Sequence, residues 1–401
     1  MTLTFISNYI NHHQKPLSDC LYEKLGENYR FVQTEPMAQE RKDMGWEAGG
    51  AEIPYLVRAY EAPQDAERLL MESDVVIFGG CEDEERIIPR LLARKLTFRY
   101  SERIYKDGQW KFITPRGLKQ KYHDHTRFRK APVYLLCAGA YVASDFSLVR
   151  AYPGKMLRWG YFPEFIPYPD DDCHAQRLKR QDTQDVPVIL WAGRFLELKH
   201  PEYALRLAAD LRAKGIRFEL RIVGGGDLEP SLKQEAENQK LTDCVHFLGY
   251  LKPEQVRTQM EQADIYLFTS DYKEGWGAVL NEAMNSGCAV VANRGLGAAP
   301  YLIKDGVNGF LYKNEDYQSF KNCVCRLLED RKLCLETGKR AYETIRDSWN
   351  PDIAAGRLLR LIEKMTAHMD EGKGVPKLLE MALPEEGPLS VAPILSPGFL
   401  H

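Results

Sequence analysis

Short apolar runs alternate along the chain with stretches whose apolar positions recur at helical spacing, and the alternation persists through both halves. In the first half the runs predict strands at Leu3 to Ser7, Tyr29 to Gln33, Asp74 to Phe78 and Val133 to Cys137. Amphipathic stretches lie between them, for example Leu17 to Leu25 and Ala62 to Met71. In the second half, strands are expected at Val188 to Ala192, Phe218 to Val223, Val245 to Phe247, Ile265 to Phe268, Ala289 to Ala292 and Gly309 to Leu311. Helices are expected at Glu202 to Lys214 and Leu228 to Gln239. Strand and helix in strict alternation give parallel sheets with helices on both faces. Each half therefore reads as its own doubly wound α/β sheet, two Rossmann-like domains facing across a cleft.

The segment from Tyr161 to Pro187 is rich in Pro and Asp and has no clear period, so it reads as the linker. A further helix is expected from Pro351 to His368, behind Trp349. The expected division is 1–165 with the helix 350–368, then 186–348, then a Pro- and Gly-rich tail over 369–401. That tail reads as disordered or loosely attached.

The chain has 401 residues, enough for two cores, and its 44% hydrophobic and 28% charged content is that of a globular protein. A net charge of −3 points to no partner. Met1 to Ile6 is too short for a secretory apolar core and lacks a basic start. No apolar run is long enough to span a bilayer. The nine scattered cysteines fit reduced thiols, so the expected location is cytoplasmic.

The densest chemistry is in the run Lys273-Glu274-Gly275-Trp276-Gly277-Ala278-Val279-Leu280-Asn281-Glu282. An acid in a small-residue turn precedes a helix that carries a second acid. Even on one continuous helix the two would lie about 80° apart, so both can face one crevice. Glycines admit a ligand to the backbone, and a helix start favours an anion. Earlier, the strand Ile189 to Ala192 ends in Gly193-Arg194, with Lys199 following. Two cations at a strand's carboxyl end suit a diphosphate, whereas two solvated surface cations are the bland alternative. Gly224-Gly225-Gly226 is either a phosphate loop or a tight strand–helix turn. It lacks the third glycine of a dinucleotide fingerprint, because Glu229 stands there. Gly249, Tyr250 and Leu251 could receive a nucleobase. Gly295-x-Gly297 and Asp305-Gly306-x-Asn308-Gly309 are turns.

Several metal-like patterns are weak. Cys323-x-Cys325 lacks a partner pair, and Asp170-Asp171-Asp172 reads as solvated linker. His123-x-His125 has no third ligand and reads as solvent-exposed. The loop Ser7 to Pro16 could hold an acceptor hydroxyl or a phosphate, or merely cap a helix. Residues 86–130 carry 14 Lys or Arg against three acids, with aromatics interleaved. That pattern suits an anionic membrane surface or a diphosphate-linked lipid, then a plain solvated face, and least a single-stranded nucleic acid.

Together, Gly193-Arg194-x4-Lys199, Glu274-Gly-Trp-Gly followed by Glu282, and Gly306-x-Asn308-Gly309-Phe310-Leu311 resemble the retaining, nucleotide-sugar-dependent glycosyltransferases of family 4, which have the GT-B fold. The resemblance covers Ile189 to about Arg346. It implies that Arg194 and Lys199 grip the donor diphosphate, assisted by Gly193, and that Glu274 contacts the sugar hydroxyls. It further implies that the backbone from Gly275 and Trp276 through Gly277, Ala278 and Val279 reaches the distal phosphate. Glu282 would hold the ribose, and Gly249, Tyr250 and Leu251 would frame the base. No metal or other cofactor is implied; the nucleoside-diphosphate sugar is a co-substrate. The implied acceptor is a glycan or lipid-linked molecule of bacterial surface-polysaccharide assembly; the basic stretch 86–130 separately points to peripheral association with an anionic membrane, and no nucleic acid is expected. The Trp349 helix resembles one that crosses back to the N-terminal domain. Cys288 stands where the family usually has proline, and no acceptor-side histidine motif is evident among His12, His13, His123 and His125. Two rival readings are a sugar-nucleotide epimerase of similar fold and a non-catalytic sugar-nucleotide-binding subunit.

Overall fold

The computed structural model describes residues 1–39, 53–81, 83–175, 177–178, 186–383 and 386–396. The chain forms two compact units, Met1–Glu164 with Ser348–His401, and Phe165–Asp347.

Unit 1 is built on a seven-stranded parallel sheet. Its strands are β1 (Leu3–Ser7), β2 (Tyr29–Gln33), β3 (Leu56–Arg58), β4 (Val75–Gly79), β5 (Thr97–Ser101), β6 (Val133–Ala138) and β7 (Met156–Trp159), in the order β3-β2-β1-β4-β5-β6-β7. The central strands are buried on both faces, which is why β4 and β6 read as nearly unbroken apolar runs and β1 buries even Thr4 and Ser7. Three strands escaped the sequence pattern. β3 is only three residues long, while β5 and β7 carry Arg99 and Arg158. Arg99 is buried and paired with Glu84, so a charge that reads as solvent-facing lies inside.

The helix Pro351–Asp370 belongs to this unit and packs against Lys15–Leu25. Asn350 caps it, its side chain accepting the Ile353 N–H at 3.0 Å, and Pro351 opens it. The tail beyond it is not loose over its described residues. Leu378, Leu383, Leu389 and Ala392 are buried. Leu389 N–H donates to Arg158 (2.8 Å), Arg158 N–H to Ser390 (2.8 Å) and Ala392 N–H to Met156 (3.0 Å). The proline- and glycine-rich composition hid a segment that satisfies the outer edge of β7. Residues 384–385 and 397–401 of the tail lie outside the described residues.

Unit 2 holds a six-stranded parallel sheet of β8 (Val188–Ala192), β9 (Glu219–Val223), β10 (Val245–Gly249), β11 (Ile265–Phe268), β12 (Ala289–Asn293) and β13 (Phe310–Tyr312), in the order β10-β9-β8-β11-β12-β13. All six strands sit where the sequence pattern puts them. The helix Glu202–Ala213 buries Ala204, Leu205, Leu207, Ala208 and Leu211, the stripe expected of a helix on a sheet. The strand order reverses between β8 and β11, which makes that edge a topological switch point.

The expected linker is packed rather than free over its described residues; 176 and 179–185 lie outside them. Phe162 stacks on Trp349 in unit 1, and Phe165 lies against Tyr342 in unit 2. Arg177 is 1% exposed and donates to the carbonyls of Ala263 (2.6 Å), Met260 (2.8 Å), Ser286 (2.7 Å) and Cys173 (3.0 Å). It therefore places a cation at the carboxyl ends of the helices Pro253–Gln262 and Val279–Asn285 and donates to carbonyls at or just past their last turns. Arg90 does the same in unit 1, donating to Leu70 (2.9 Å) and Ser73 (2.8 Å) behind the helix Pro63–Glu72.

Candidate active site

At the carboxyl edge of the second sheet, glycine backbones let three strand-end loops touch. Gly193 N–H donates to Val223 (3.0 Å), Phe195 N–H to Gly225 (2.9 Å) and Gly224 N–H to Gly249 (2.8 Å). A Cβ on Gly224, whose φ is +124°, would stand 1.9 Å from the Gly193 carbonyl oxygen. The glycine run after β9 thus joins the loops that follow β8 and β10. Tyr250 is 65% exposed, with its ring edge over Gly225, and Leu251 beside it is half-buried.

The loop after β8 is bound across the switch point to the loop after β11. The Thr269 hydroxyl donates to the Lys199 carbonyl and accepts the Trp191 indole N–H at 2.7 Å. Asp271 N–H donates to Leu198 (2.8 Å), and Glu274 N–H to Asp271 (3.2 Å). This stitching delivers Lys199 Nζ to Glu274 Oε2 at 2.7 Å, an ion pair whose side chains are 14% and 19% exposed. Arg194 is half-buried on the same loop, and among the described residues its guanidinium has no partner. His200, in the left-handed region (φ 47°), has Nδ1 2.8 Å from Glu202 and Nε2 3.5 Å from Asp271. Hydrogen bonding to Asp271, then to Glu202, raises its pKa from 6.5 to about 9.

The turn Gly275–Ala278 is held from below. Trp276 is buried, its indole N–H donating to Asn281 at 2.9 Å. Its side chain is therefore used to fix the turn. Gly277 has φ +85°, and a Cβ there would meet the Phe268 ring at 2.5 Å. Ala278 and Val279 then open the helix Val279–Asn285, with Leu280 N–H donating to Gly277 at 3.0 Å. Glu282 is half-buried on that helix. Burial, then the charge of Glu282, pushes the Tyr266 phenol well above its usual range. Tyr266 itself donates to the Ala192 carbonyl at 3.0 Å. Of the four charged candidates, Lys199 and Glu274 are in contact, Arg194 stands on the loop after β8, and Glu282 on the helix after the turn. Thr269, Asp271, His200 and Tyr266 were missed by sequence reasoning; none stands in a spacing that signals a role.

Other candidates prove structural. Asn308 is buried and holds its turn, accepting the Lys304 N–H (2.7 Å) and donating to Leu302 (2.9 Å) and Thr344 (2.8 Å). Cys325 is buried and Cys323 packs against the same core cluster. His125 is buried rather than solvent-exposed, 2.9 Å from the Tyr152 hydroxyl, and burial drives its pKa well below 6.5. Asp172 is exposed and caps its own turn, accepting the His174 N–H at 2.9 Å. In the loop after β1, the Asn11 side chain accepts the N–H groups of His13 and Gln14, and the rings of His12 and His13 lie 3.8 Å apart.

Residues 174–344 match the family model described as glycosyl transferases group 1. Unit 2 carries a glycosyl transferases group 1 domain. The amylovoran biosynthesis glycosyltransferase AmsK of Erwinia amylovora is 30% identical over 194 residues, 47% of each chain. A GDP-mannose-dependent alpha-(1-6)-phosphatidylinositol monomannoside mannosyltransferase of Mycolicibacterium smegmatis is 27% identical over 200 residues, 48% of this chain and 52% of that one. The chain thus spans about half the length of the curated relatives it matches. Among solved structures, HepE of Anabaena in complex with UDP superposes with a TM-score of 0.64 at 15% identity, covering 93% of this chain and all of that one. Sucrose-phosphate synthase of Thermosynechococcus elongatus gives 0.62 at 16% identity, covering 92% and 99%. At such identities the likeness establishes the fold, which is GT-B. The group 1 domain contains every donor-side candidate named above.

Proposed function

We propose that the protein is a glycosyltransferase that moves a sugar from a nucleoside diphosphate to a glycan or lipid-linked acceptor, with retention, in surface-polysaccharide assembly. The observation that carries this reading is the half-buried Lys199–Glu274 ion pair at the switch point, with Arg194 on the same loop. A cation already neutralised by a carboxylate is held in place before the donor arrives. As the sugar–phosphate bond breaks, negative charge grows on the diphosphate, and Lys199 and Arg194 stabilise it in a partly desolvated site. Backbone N–H groups at Gly277, Ala278 and Val279 lie at a helix start and add to that field. Glu274 accepts hydrogen bonds from sugar hydroxyls, and Glu282 from the ribose. Tyr250 and Leu251 flank the base. In the step itself the anomeric C–O bond to the diphosphate breaks and the acceptor oxygen bonds to that carbon on the same face. The acceptor's proton goes to the departing phosphate oxygen. The names of the relatives support a polysaccharide acceptor, and the UDP complex of HepE supports a nucleotide donor.

The test is a thermal-shift screen of UDP, GDP and their sugars, followed by turnover with Glu274→Ala. A nucleotide at about 100 times its Kd adds about 2.7 kcal/mol of stability, so the melting temperature rises by several degrees. Glu274→Ala retains nucleotide binding, because it frees Lys199, but loses about 10²-fold or more in transfer. Absence of any nucleotide shift, or transfer unchanged in the variant, overturns the proposal.

A further inference from the structure

The basic stretch 86–130 is not one surface. Arg90, Arg99 and Arg103 are buried and engaged in hydrogen bonds or ion pairs within unit 1. Most of the outward cations lie in the connection between β5 and β6, and it is built unusually. A crossover helix of a parallel sheet ordinarily buries an apolar stripe against that sheet. The helix Pro115–Asp124 buries only Asp124. Its apolar residues face out instead: Leu118 is 41% and Tyr122 61% exposed, and they are one turn apart. Trp110 (54%) and Ile113 (64%) extend the same exposure just before the helix.

Exposed cations share this connection with them. Arg116, Lys119, Arg127, Arg129 and Lys130 are exposed, whereas Asp124, the sole acid between Gly108 and Lys130, is buried. The element is also fixed at both ends. Gln109 donates to Asp145 (2.8 Å) and Ser144 (3.1 Å), and the fully buried Asp145 also takes Arg103 (3.0 Å) and the Tyr105 N–H (3.1 Å). At the far end His125 meets Tyr152, Thr126 donates to the Val149 carbonyl (3.0 Å), and Phe128 is buried. Outward apolar side chains on a firmly anchored element are not a consequence of a loose loop.

We propose that residues 110–130 form a docking element for an anionic lipid bilayer, with Trp110, Ile113, Leu118 and Tyr122 entering the interface and the exposed Lys and Arg meeting the headgroups. Exposed apolar side chains interspersed with exposed cations, on a segment free of exposed acids, match that surface in charge and in polarity. Aromatic rings with a polar tip suit the headgroup level. The inference stands apart from the donor chemistry, because binding to a bilayer requires no turnover.

Flotation of the full chain with vesicles of phosphatidylcholine alone, or with phosphatidylglycerol added, tests it. The wild type floats with the anionic vesicles, and salt weakens the association. Each cation near an anionic surface multiplies partition about fivefold, so Arg116→Glu with Lys119→Glu lowers it at least about 25-fold. Ile113→Ser with Leu118→Ser lowers partition and leaves a remainder that salt removes. Circular dichroism and nucleotide-induced melting shifts stay unchanged in both variants, since the positions are exposed. Equal flotation of the wild type and the charge-reversed variant overturns the proposal. So does binding of single-stranded RNA without binding of anionic vesicles, and so does a dimer in solution that Leu118→Ser dissociates.

Discussion

His200 shows how a single side chain can tie the loops of the candidate site. It bridges Glu202, at the start of the helix Glu202–Ala213, and Asp271 on the loop that carries Glu274. Its folded-state pKa of about 9 lies above the ordinary 6.5. The stabilisation it gives is therefore complete below about pH 6.5 and is lost as pH rises through about 9. Asn tolerates the left-handed backbone but carries no charge. His200→Asn should therefore lower the melting temperature near neutral pH by the equivalent of about 1 kcal/mol, after solvent screening. It should also flatten the fall between about pH 7 and pH 10. A pH–melting profile identical to wild type would exclude the bridge. Nothing in the sequence marks His200, because Asp271 is brought to it by a loop far away in the chain.

At the scale of elements, the turn before Val279–Asn285 and the ends of neighbouring helices are the sensitive points. Gly277→Ala must both leave a positive φ and push against Phe268. The backbone penalty is about 1–2 kcal/mol, so nucleotide affinity should fall roughly tenfold while the fold is retained, as calorimetry would show. Arg177→Met removes the charged donor shared by the two helix ends and leaves the Ala263 carbonyl only a long contact to the Cys288 thiol. A hydrogen bond from a charged donor contributes about 1.5–3 kcal/mol, so chemical denaturation should show unit 2 weakened by about 3 kcal/mol or more. Arg177→Lys should not recover it, since an ammonium lacks the planar fork that reaches several acceptors. A loss under 1 kcal/mol for both variants would refute the capping role. Glycine turns were legible as turns. That Gly277 must be glycine because of a phenylalanine on β11 was not.

For the whole molecule, the carboxyl-terminal segment matters to unit 1. Deleting the residues after Asp370 uncovers the outer edge of β7 and the apolar sites filled by Leu378 and Leu389. An open strand edge recruits other chains. The truncated protein should melt several degrees lower and associate in sedimentation, while its nucleotide shift persists because unit 2 is untouched. Unchanged melting would show the segment to be dispensable. The six strands of unit 2, the core helices and the acidic turn at Glu274 were readable because each rests on local periodicity or on glycine chemistry. β5, β7, the tail and the segment around Arg177 were not, because their charges and prolines are satisfied by residues far away in the chain.

The order of apolar and polar residues by itself determined two parallel α/β sheets and placed two cations and two carboxylates at strand or helix ends. Those features depend on neighbours within a few residues, so a linear reading contains them. Only the tertiary structure decided that Lys199 meets Glu274, that Asp145 anchors an outward-facing helix, and which arginines are buried. These outcomes depend on strand order and on glycine-permitted contacts between loops, and loop closure joins residues whose separation in sequence carries no periodic signal.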